Sequence, residues 1–502
     1  MIDFVSVLDQ QARTRADRLA LRAEGRDWNY AELADATRHA ASVLRDCGVG
    51  AGDRVALFNY NTPGFVFALF GAWRLKAAVV PVNHKLQAPE VEYILGHSGA
   101  RLCVLDAALA PVARRVAGDT RWLATAGSAD GMESFDELLA RATPHDAGGE
   151  VPDGATLAEV LYTSGTTGRP KGCLHSHANL FHTAICCAAA VSMTPADRNL
   201  TAMPIWHSSP LNNWFLSTLL MGGANVLLRE YAPQAFIETL AQDRITFTFG
   251  APIAFLAPLQ AVPDLARHDL SAMRLWTCGG GPLSAENTRR LVAGYRTDRI
   301  MQVYGMTESG PMGTVLYPEE AIDKAGSIGR CGTAGVLLEL RRDDGSLCGP
   351  GEVGEIHLRT AAMMQGYLDN PEATEQAFTP DGWYRSGDLA RIDEDGYMYI
   401  ADRSKDMIVT GGENVYSKEV EDALSGHPDV MQVAVIGRPH PDWGETVTAF
   451  VVARPGSSLD DAALRAFLEP RLARYKIPRI YEFRDALPHT PSGKIQKHLL
   501  RG

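Results

Sequence analysis

The chain has 502 residues, of which 46% are apolar and 22% charged, and a net charge of −12. These are the proportions of a globular protein too long for one ordinary core, so at least two domains are expected. The acidic balance argues against a broad nucleic-acid footprint, and any phosphate ligand must be met by locally placed Lys and Arg.

The early part alternates helical and strand signals. Asn29 and Glu32 form a candidate capping box, followed by Leu33, Ala36, Ala40, Val43 and Leu44 at helical spacing. A strand is expected over 55–58, a buried helix over 63–75, a strand over 78–82, a helix over 89–95 and a strand over 102–105. Further strands are expected over 224–228, 246–249 and 275–278. Strands separated by helices predict a large domain built on mainly parallel α/β sheets. The apolar stretches 65–73 and 214–228 are too short to cross a membrane. The opening MIDFVSVLDQQART lacks a basic leader and a long apolar run, so no signal peptide is expected. Eight cysteines without CxxC spacing argue against a dithiol metal site and fit a reduced, cytoplasmic setting.

Near Arg342 the texture changes. Asp344-Gly345, Pro350-Gly351, Asp381-Gly382 and Asp395-Gly396 punctuate short alternating runs, 355–358 and 397–400 among them, which predicts an antiparallel β module. The last hundred residues carry their own pattern: strands over 433–436, 448–452 and 479–483, and helices over 418–424 and 462–474. The expected division is 1–402, with the β module at roughly 335–402, and a small α+β domain over 403–502, joined by a short charged segment that can act as a hinge.

Several strings carry chemistry. Residues 161–172 read LYTSGTTGRPKG. Gly165 and Gly168 permit close backbone approach, Thr163, Ser164, Thr166 and Thr167 offer hydroxyls, and Lys171 supplies a charge, so the loop can wrap phosphate oxygens. The spacing is not that of a Walker loop, which needs Lys-Ser/Thr directly after its second Gly. Residues 304–309 read YGMTES: Tyr304 can stack on a purine, Thr307 can reach a phosphate, and Glu308 suits a magnesium ion shared with substrate phosphates. Residues 203–210 read MPIWHSSP, in which His207 is either a pocket residue or an ordinary core histidine. By themselves Gly279-Gly280-Gly281-Pro282 read as a strand-to-helix turn, Asp388 as a turn residue, Asp402–Asp406 as a solvated charge cluster and Lys494 as a surface side chain.

Together and in this order, these strings resemble the adenylate-forming enzymes, the superfamily of acyl-CoA synthetases, peptide-synthetase adenylation domains and beetle luciferases. The resemblance spans nearly the whole chain and implies an ATP- and Mg²⁺-dependent acid:CoA ligase. It implies that the 163–171 loop holds the pyrophosphate end of ATP, that Gly280, Gly281, Pro282, Gln302 and Tyr304 line the adenine site, and that Asp388 accepts the ribose hydroxyls. Arg403 would contact the nucleotide, Lys405 would be the pivot, and Gly411, Gly412 and Glu413 would wall the CoA arm. Lys494 would be the principal catalytic side chain, acting with Thr307, Glu308 and Lys171 on the reacting carboxylate and α-phosphate.

By motif position the acyl pocket comprises His207, Ser208, Phe249, Ala251, Gly279, Val303, Gly305, Met306 and Met312. Peptide-synthetase domains carry an Asp near the 203–214 segment to pair the substrate ammonium; this chain has none, which argues against an amino acid. The pocket set holds no Lys or Arg, which disfavours a dicarboxylate and favours a medium- or long-chain fatty, aryl or alicyclic acid. Gly305 stands where acetate-specific relatives carry a Trp, which implies a longer pocket. Asn212 and Asn213 are a reservation, as groups able to meet a polar tail. A carrier-protein thiol is the alternative acceptor to CoA, a homodimer is left open, and a catalytically silent nucleotide-binding protein is the reading that intact Lys494 and Glu308 oppose.

Overall fold

The structure is a computed structural model describing residues 3–145, 151–163, 170–281, 283–403, 406–410, 413–440, 444–472, 474–489 and 495–501, with backbone alone at Arg403, Glu413, Asn414 and Gly444. The chain divides into two compact units, one of residues 1–338 and 358–384, the other of residues 339–357 and 385–502.

The first unit contains two eight-stranded sheets. One runs Gly313–Leu316, Ile300–Gly305, Leu275–Cys278, Phe247–Gly250, Arg198–Thr201, Ala224–Leu227, Leu19–Ala23 and Arg26–Asn29, parallel except for the antiparallel pair at each end. The other runs Gly366–Tyr367, Lys171–Ser176, Leu157–Thr163, Ala78–Pro81, Arg54–Phe58, Leu102–Asp106, Arg121–Thr125 and Glu133–Ser134. Here Lys171–Ser176 is antiparallel to both of its neighbours and the remaining pairs are parallel. The expected parallel α/β architecture is therefore present, with antiparallel strands at the sheet margins.

Local sequence explains the main elements. The capping box forms as expected: Glu32 N–H donates to Asn29 Oδ1 at 2.8 Å and Asn29 N–H to Glu32 Oε2 at 2.9 Å. Helix Pro63–Arg74 is apolar all round and buried at every position, as a helix packed on all sides must be. Its Trp73 Nε1 donates to Ala158 O at 2.8 Å, which ties it to the strand that leads into residue 164. The buried Arg74 at its end is met by both oxygens of Asp9, at 2.8 and 3.1 Å, so no charge is left unpaired there.

The second unit holds the greater part of a four-stranded sheet, Val336–Arg341, Val353–Thr360, Tyr384–Ile392 and Met398–Arg403. Its last two strands are antiparallel, and Gly345 and Gly396 adopt φ of 83° and 85° in the turns that the Asp-Gly pairs forecast. A five-stranded sheet follows, with helices Ser417–Ser425 and Asp461–Leu468. The second helix is shorter than the expected 462–474. Pro470 has no backbone N–H to donate to the Ala466 carbonyl, the next rung of the ladder, and the helix stops there. Among the described residues, no helix is long and apolar enough to cross a membrane.

Candidate active site

In the first unit the candidate residues gather at the ends of neighbouring strands. Thr163 and Lys171 are register partners at the open end of the antiparallel pair Leu157–Thr163 and Lys171–Ser176. Lys171 is thus the first residue of a strand, not part of a loop. Its Nζ lies 4.7 Å from the centroid of the Tyr367 ring, a cation–π arrangement that aims a flexible side chain. The Tyr367 hydroxyl donates to Glu308 Oε1 at 3.0 Å. Burial first, and the Glu308 charge second, hold the Tyr367 and Tyr384 phenols above their ordinary range, so both remain protonated donors. The same two causes push the buried Cys173 thiol well up, making it inert.

Thr307 and Glu308 sit in the turn that follows Ile300–Gly305. His175, fully buried, places Nε2 2.9 Å from the Thr307 carbonyl. Burial lowers its pKa to about 4, so it is neutral, and the carbonyl requires the proton on Nε2. Ser208 Oγ lies 3.2 Å from Thr307 Oγ1. That contact joins the 203–210 string to the 304–309 string, through residues 99 positions apart in sequence.

The remaining acyl-side candidates cluster around the antiparallel pair Ile300–Gly305 and Gly313–Leu316. Phe249 is stacked on Trp214 with centroids 5.8 Å apart and planes 17° apart. A Cβ at Gly279 would stand 2.7 Å from Val303 Cγ2 and 3.0 Å from Phe249 Cε2. A Cβ at Gly305 would stand 2.2 Å from Pro311 O, so glycine is required there by the tight approach of the next strand, independently of pocket length. Met312 is buried, Met306 and Val303 are half-buried, and Ala251 is the N-cap of helix Pro252–Ala261. Asn213 donates to Pro311 O at 3.3 Å, and Asn212 is turned to Glu159. Gln302 is buried, while Gly280, Gly281 and Tyr304 occupy the strand ends beside this cluster.

In the second unit, Asp388 and Arg403 are register partners on adjacent antiparallel strands. Glu413 opposes Thr410 where Ile408–Thr410 and Glu413–Val415 pair. Beyond residue 494, Lys497 Nζ is held by Ser417 Oγ at 2.6 Å and by Glu421 at 2.8 Å, and Arg501 pairs with Asp406 at 2.9 Å. Ser417 N–H in turn donates to Asp402. Ser164, Gly165, Thr166, Thr167, Gly168, Pro282, Lys405, Gly411, Gly412 and Lys494 lie outside the described residues.

Glu308 is the carboxylate that the family resemblance assigns to magnesium. Among the described residues no group of three or more His, Cys, Asp or Glu could cage a metal. A site offering one carboxylate and leaving the rest of the shell to phosphate oxygens and water is what Mg²⁺ accepts. Tyr367, His175 and Tyr384 were not among the sequence candidates; Tyr367 stands in a Gly-Tyr pair whose only local signal is a turn, and its role depends on Glu308, 59 residues away.

Comparison with known proteins gives a consistent picture. The family model of the AMP-binding enzyme matches residues 8–368, and that of the AMP-binding enzyme C-terminal domain matches 419–494. A feruloyl-CoA synthase from Amycolatopsis sp is 38% identical over 493 residues, covering 98% of this chain and 97% of its own. The long-chain-fatty-acid–CoA ligase FadD13 of Mycobacterium tuberculosis is 36% identical over 472 residues, covering 94% of this chain and 92% of its own. Among solved structures, ATP-bound MatB from Rhodopseudomonas palustris superposes with a TM-score of 0.87 at 30% identity, over 100% of this chain and 98% of that one.

Proposed function

The chain belongs to the AMP-binding enzyme family as an adenylate-forming acyl-CoA synthetase, an AMP-forming acid–thiol ligase, and from that premise we propose that it activates an apolar monocarboxylic acid through an acyl-AMP. The observation that supports the reading is the Ser208–Thr307 hydroxyl contact at 3.2 Å, between a string proposed to meet the acid and one proposed to meet phosphate.

In the first half-reaction the carboxylate oxygen attacks the α-phosphorus of ATP and the P–O bond to pyrophosphate breaks. The 163–171 loop and Lys171 hold the departing phosphates, with Thr307 beside them. Glu308, oriented by Tyr367, would hold a magnesium ion, which when bound supplies charge neutralisation for the phosphates. Lys494 would stabilise charge on the reacting oxygens by position rather than by proton transfer. The anchoring of Lys497 and Arg501 gives the segment after Lys494 a fixed frame for that role. Asp388 and Arg403, side by side in register, would take the ribose and the nucleotide. In the second half-reaction the CoA thiol attacks the mixed anhydride and AMP leaves; the small domain, 403–502, would turn about Lys405 to bring Gly411, Gly412 and Glu413 to the CoA arm.

For the acid, the stacked Trp214–Phe249 pair and the apolar residues beside it favour an aryl or alicyclic acid, with a fatty acid as the second reading. No Lys or Arg stands among the acyl-side candidates, so a dicarboxylate is disfavoured. The test is product analysis by mass spectrometry with Mg·ATP, CoA and a mixed panel of aryl, alicyclic, fatty and dicarboxylic acids. Acyl-CoA from ring-bearing acids together with AMP is expected, and Lys494→Ala is expected to lower its rate by roughly 10²-fold or more. AMP without acyl-CoA would assign a carrier-protein thiol as acceptor, and a dicarboxylate product would overturn the pocket reading.

A further inference from the structure

Glu159 lies inside the strand Leu157–Thr163, fully buried between the apolar residues Ala158 and Val160. An ionised side chain at this depth would need a cation or a full set of donors. What it has is Asn212, equally buried, on the seven-residue π-helical turn Ser209–Phe215. Asn212 Nδ2 donates to Glu159 Oε1 at 2.6 Å. Among the described residues the other oxygen of each group, Glu159 Oε2 and Asn212 Oδ1, has no partner.

One proton accounts for both. A carboxylic acid presents an O–H beside its C=O, and a primary amide presents an N–H beside its C=O, so the two groups close a ring of two hydrogen bonds. A carboxylate would instead have no proton to offer the Asn212 oxygen.

We propose that Glu159 is a positioning residue, kept as a neutral carboxylic acid. Paired reciprocally with Asn212, it fastens the turn that follows His207 and Ser208 to the strand that runs into the phosphate loop. The geometry behind it is the Asn212-to-Glu159 hydrogen bond and the burial of both groups; its consequence for the acid substrate rests on the ligase reading above.

The surroundings agree. Burial pushes the Glu159 carboxyl up to about 8, and the Asn212 bond only partly opposes it. On the antiparallel neighbour, His175 sits across from Glu159 and Cys173 lies two residues away. Burial holds His175 at about 4 and raises Cys173 well above the ordinary thiol range. Besides Glu159 itself, the charged groups near Cys173 are Glu308 and Lys171, farther along the pair. His177, at the head of the following helix, is held at about 4, again by burial. The parallel neighbour contributes Val79. The groups beside Glu159 on these elements are thus neutral at pH 7, and none supplies a counter-charge.

The turn has more to lose than the strand. Leu157–Thr163 is held by backbone hydrogen bonds on both sides, whereas the buried turn Ser209–Phe215, which runs into helix Leu216–Met221, is joined to that strand among the described residues by the Asn212 side-chain hydrogen bond. Breaking the pair therefore loosens the acid side while the phosphate side keeps its frame.

The test compares wild type with Glu159→Gln, whose amide offers Asn212 the same C=O and an N–H but has no proton to lose. Between the ordinary carboxyl value of 4.5 and about 8 the folded state binds a proton that the unfolded state does not, so wild-type stability falls as pH rises through that window and levels off above it. The melting temperature of E159Q should match wild type near pH 5, exceed it by a margin that grows to about pH 8, and run parallel above. Parallel curves across pH 5–8 would overturn the neutral acid, whatever the enzyme's substrate. In kinetics, Asn212→Ala and Glu159→Ala should raise KM for the acid roughly tenfold with KM for ATP within about twofold, and E159Q should restore the acid KM. E159Q as impaired as Glu159→Ala, or an equal rise in both KM values, would overturn the positioning role. Failure of the ligase reading would show separately, as absence of any acyl-CoA from wild type.

Discussion

Tyr367 shows how much of this site is carried by residues that have no reactive role of their own. Its ring lies under Lys171 and its hydroxyl fixes one oxygen of Glu308, so one side chain orients both the cation proposed to meet phosphate and the carboxylate proposed to hold the metal. Tyr367→Phe separates these two effects, because it keeps the ring and removes only the donor. Loss of such an outer hydrogen bond typically costs 10- to 100-fold in metal affinity or activity, so the rate of E308-dependent chemistry should fall by about that factor at limiting Mg²⁺ and recover at excess. Initial rates across a magnesium titration check this; an unchanged magnesium dependence would count against Tyr367 acting through Glu308. His175 works in the same indirect manner. Kept neutral by burial at a pKa of about 4, it holds the Thr307 carbonyl with an uncharged N–H and adds no positive charge there.

At the scale of elements, the antiparallel pair Ile300–Gly305 and Gly313–Leu316 sets where Tyr304, Thr307 and Glu308 emerge from the sheet. The pair is tight at its open end, where Gly305 faces Gly313 and the Pro311 carbonyl. Gly305→Ala puts a methyl within 2.2 Å of that carbonyl, which only a shift of backbone can relieve. Overpacking of this kind costs about 1–3 kcal/mol, and the displaced turn carries Thr307 and Glu308 with it. Gly305→Ala is therefore expected to lower both the thermal midpoint and ATP-dependent turnover, measured by calorimetry and by AMP release. Activity at the wild-type level with a merely longer or shorter acid preference would mean that the glycine serves pocket length and nothing else. The same lesson holds for Lys171–Ser176. Its first residue closes a loop when read in sequence, yet it begins a strand, and its position is set by Thr163 across the ladder.

For the whole molecule, two compact units carry different parts of the proposed chemistry: Lys171, Thr307, Glu308 and the acyl-side cluster in one, Asp388, Arg403 and the segment around 494 in the other. If one active site serves two half-reactions through a pivot at Lys405, fixing that pivot should separate them. Lys405→Pro, which removes backbone freedom there, is expected to preserve acyl-AMP formation while slowing thioester formation by roughly tenfold or more. Pyrophosphate release and acyl-CoA formation, followed separately, are the two readouts. Equal loss of both would argue that the residue is not a pivot.

The sequence by itself determined the family and the parallel α/β architecture, and it named the strings to which the chemistry is here proposed to belong. Those features rest on local order: glycines, hydroxyls and a lysine within twelve residues, and strands spaced by helices. It could not reveal the partnerships that make the strings a site. Ser208 meets Thr307 across 99 residues, Tyr367 reaches Glu308 across 59, and Asn212 finds Glu159 across 53. Each contact depends on which strands the fold sets side by side, and a hydrogen bond over that separation leaves no periodic trace in the chain. Burial is likewise a tertiary property. In sequence Glu159 is one acidic residue at the start of an apolar run, and only a sheet covered on both faces makes it a group that must keep its proton.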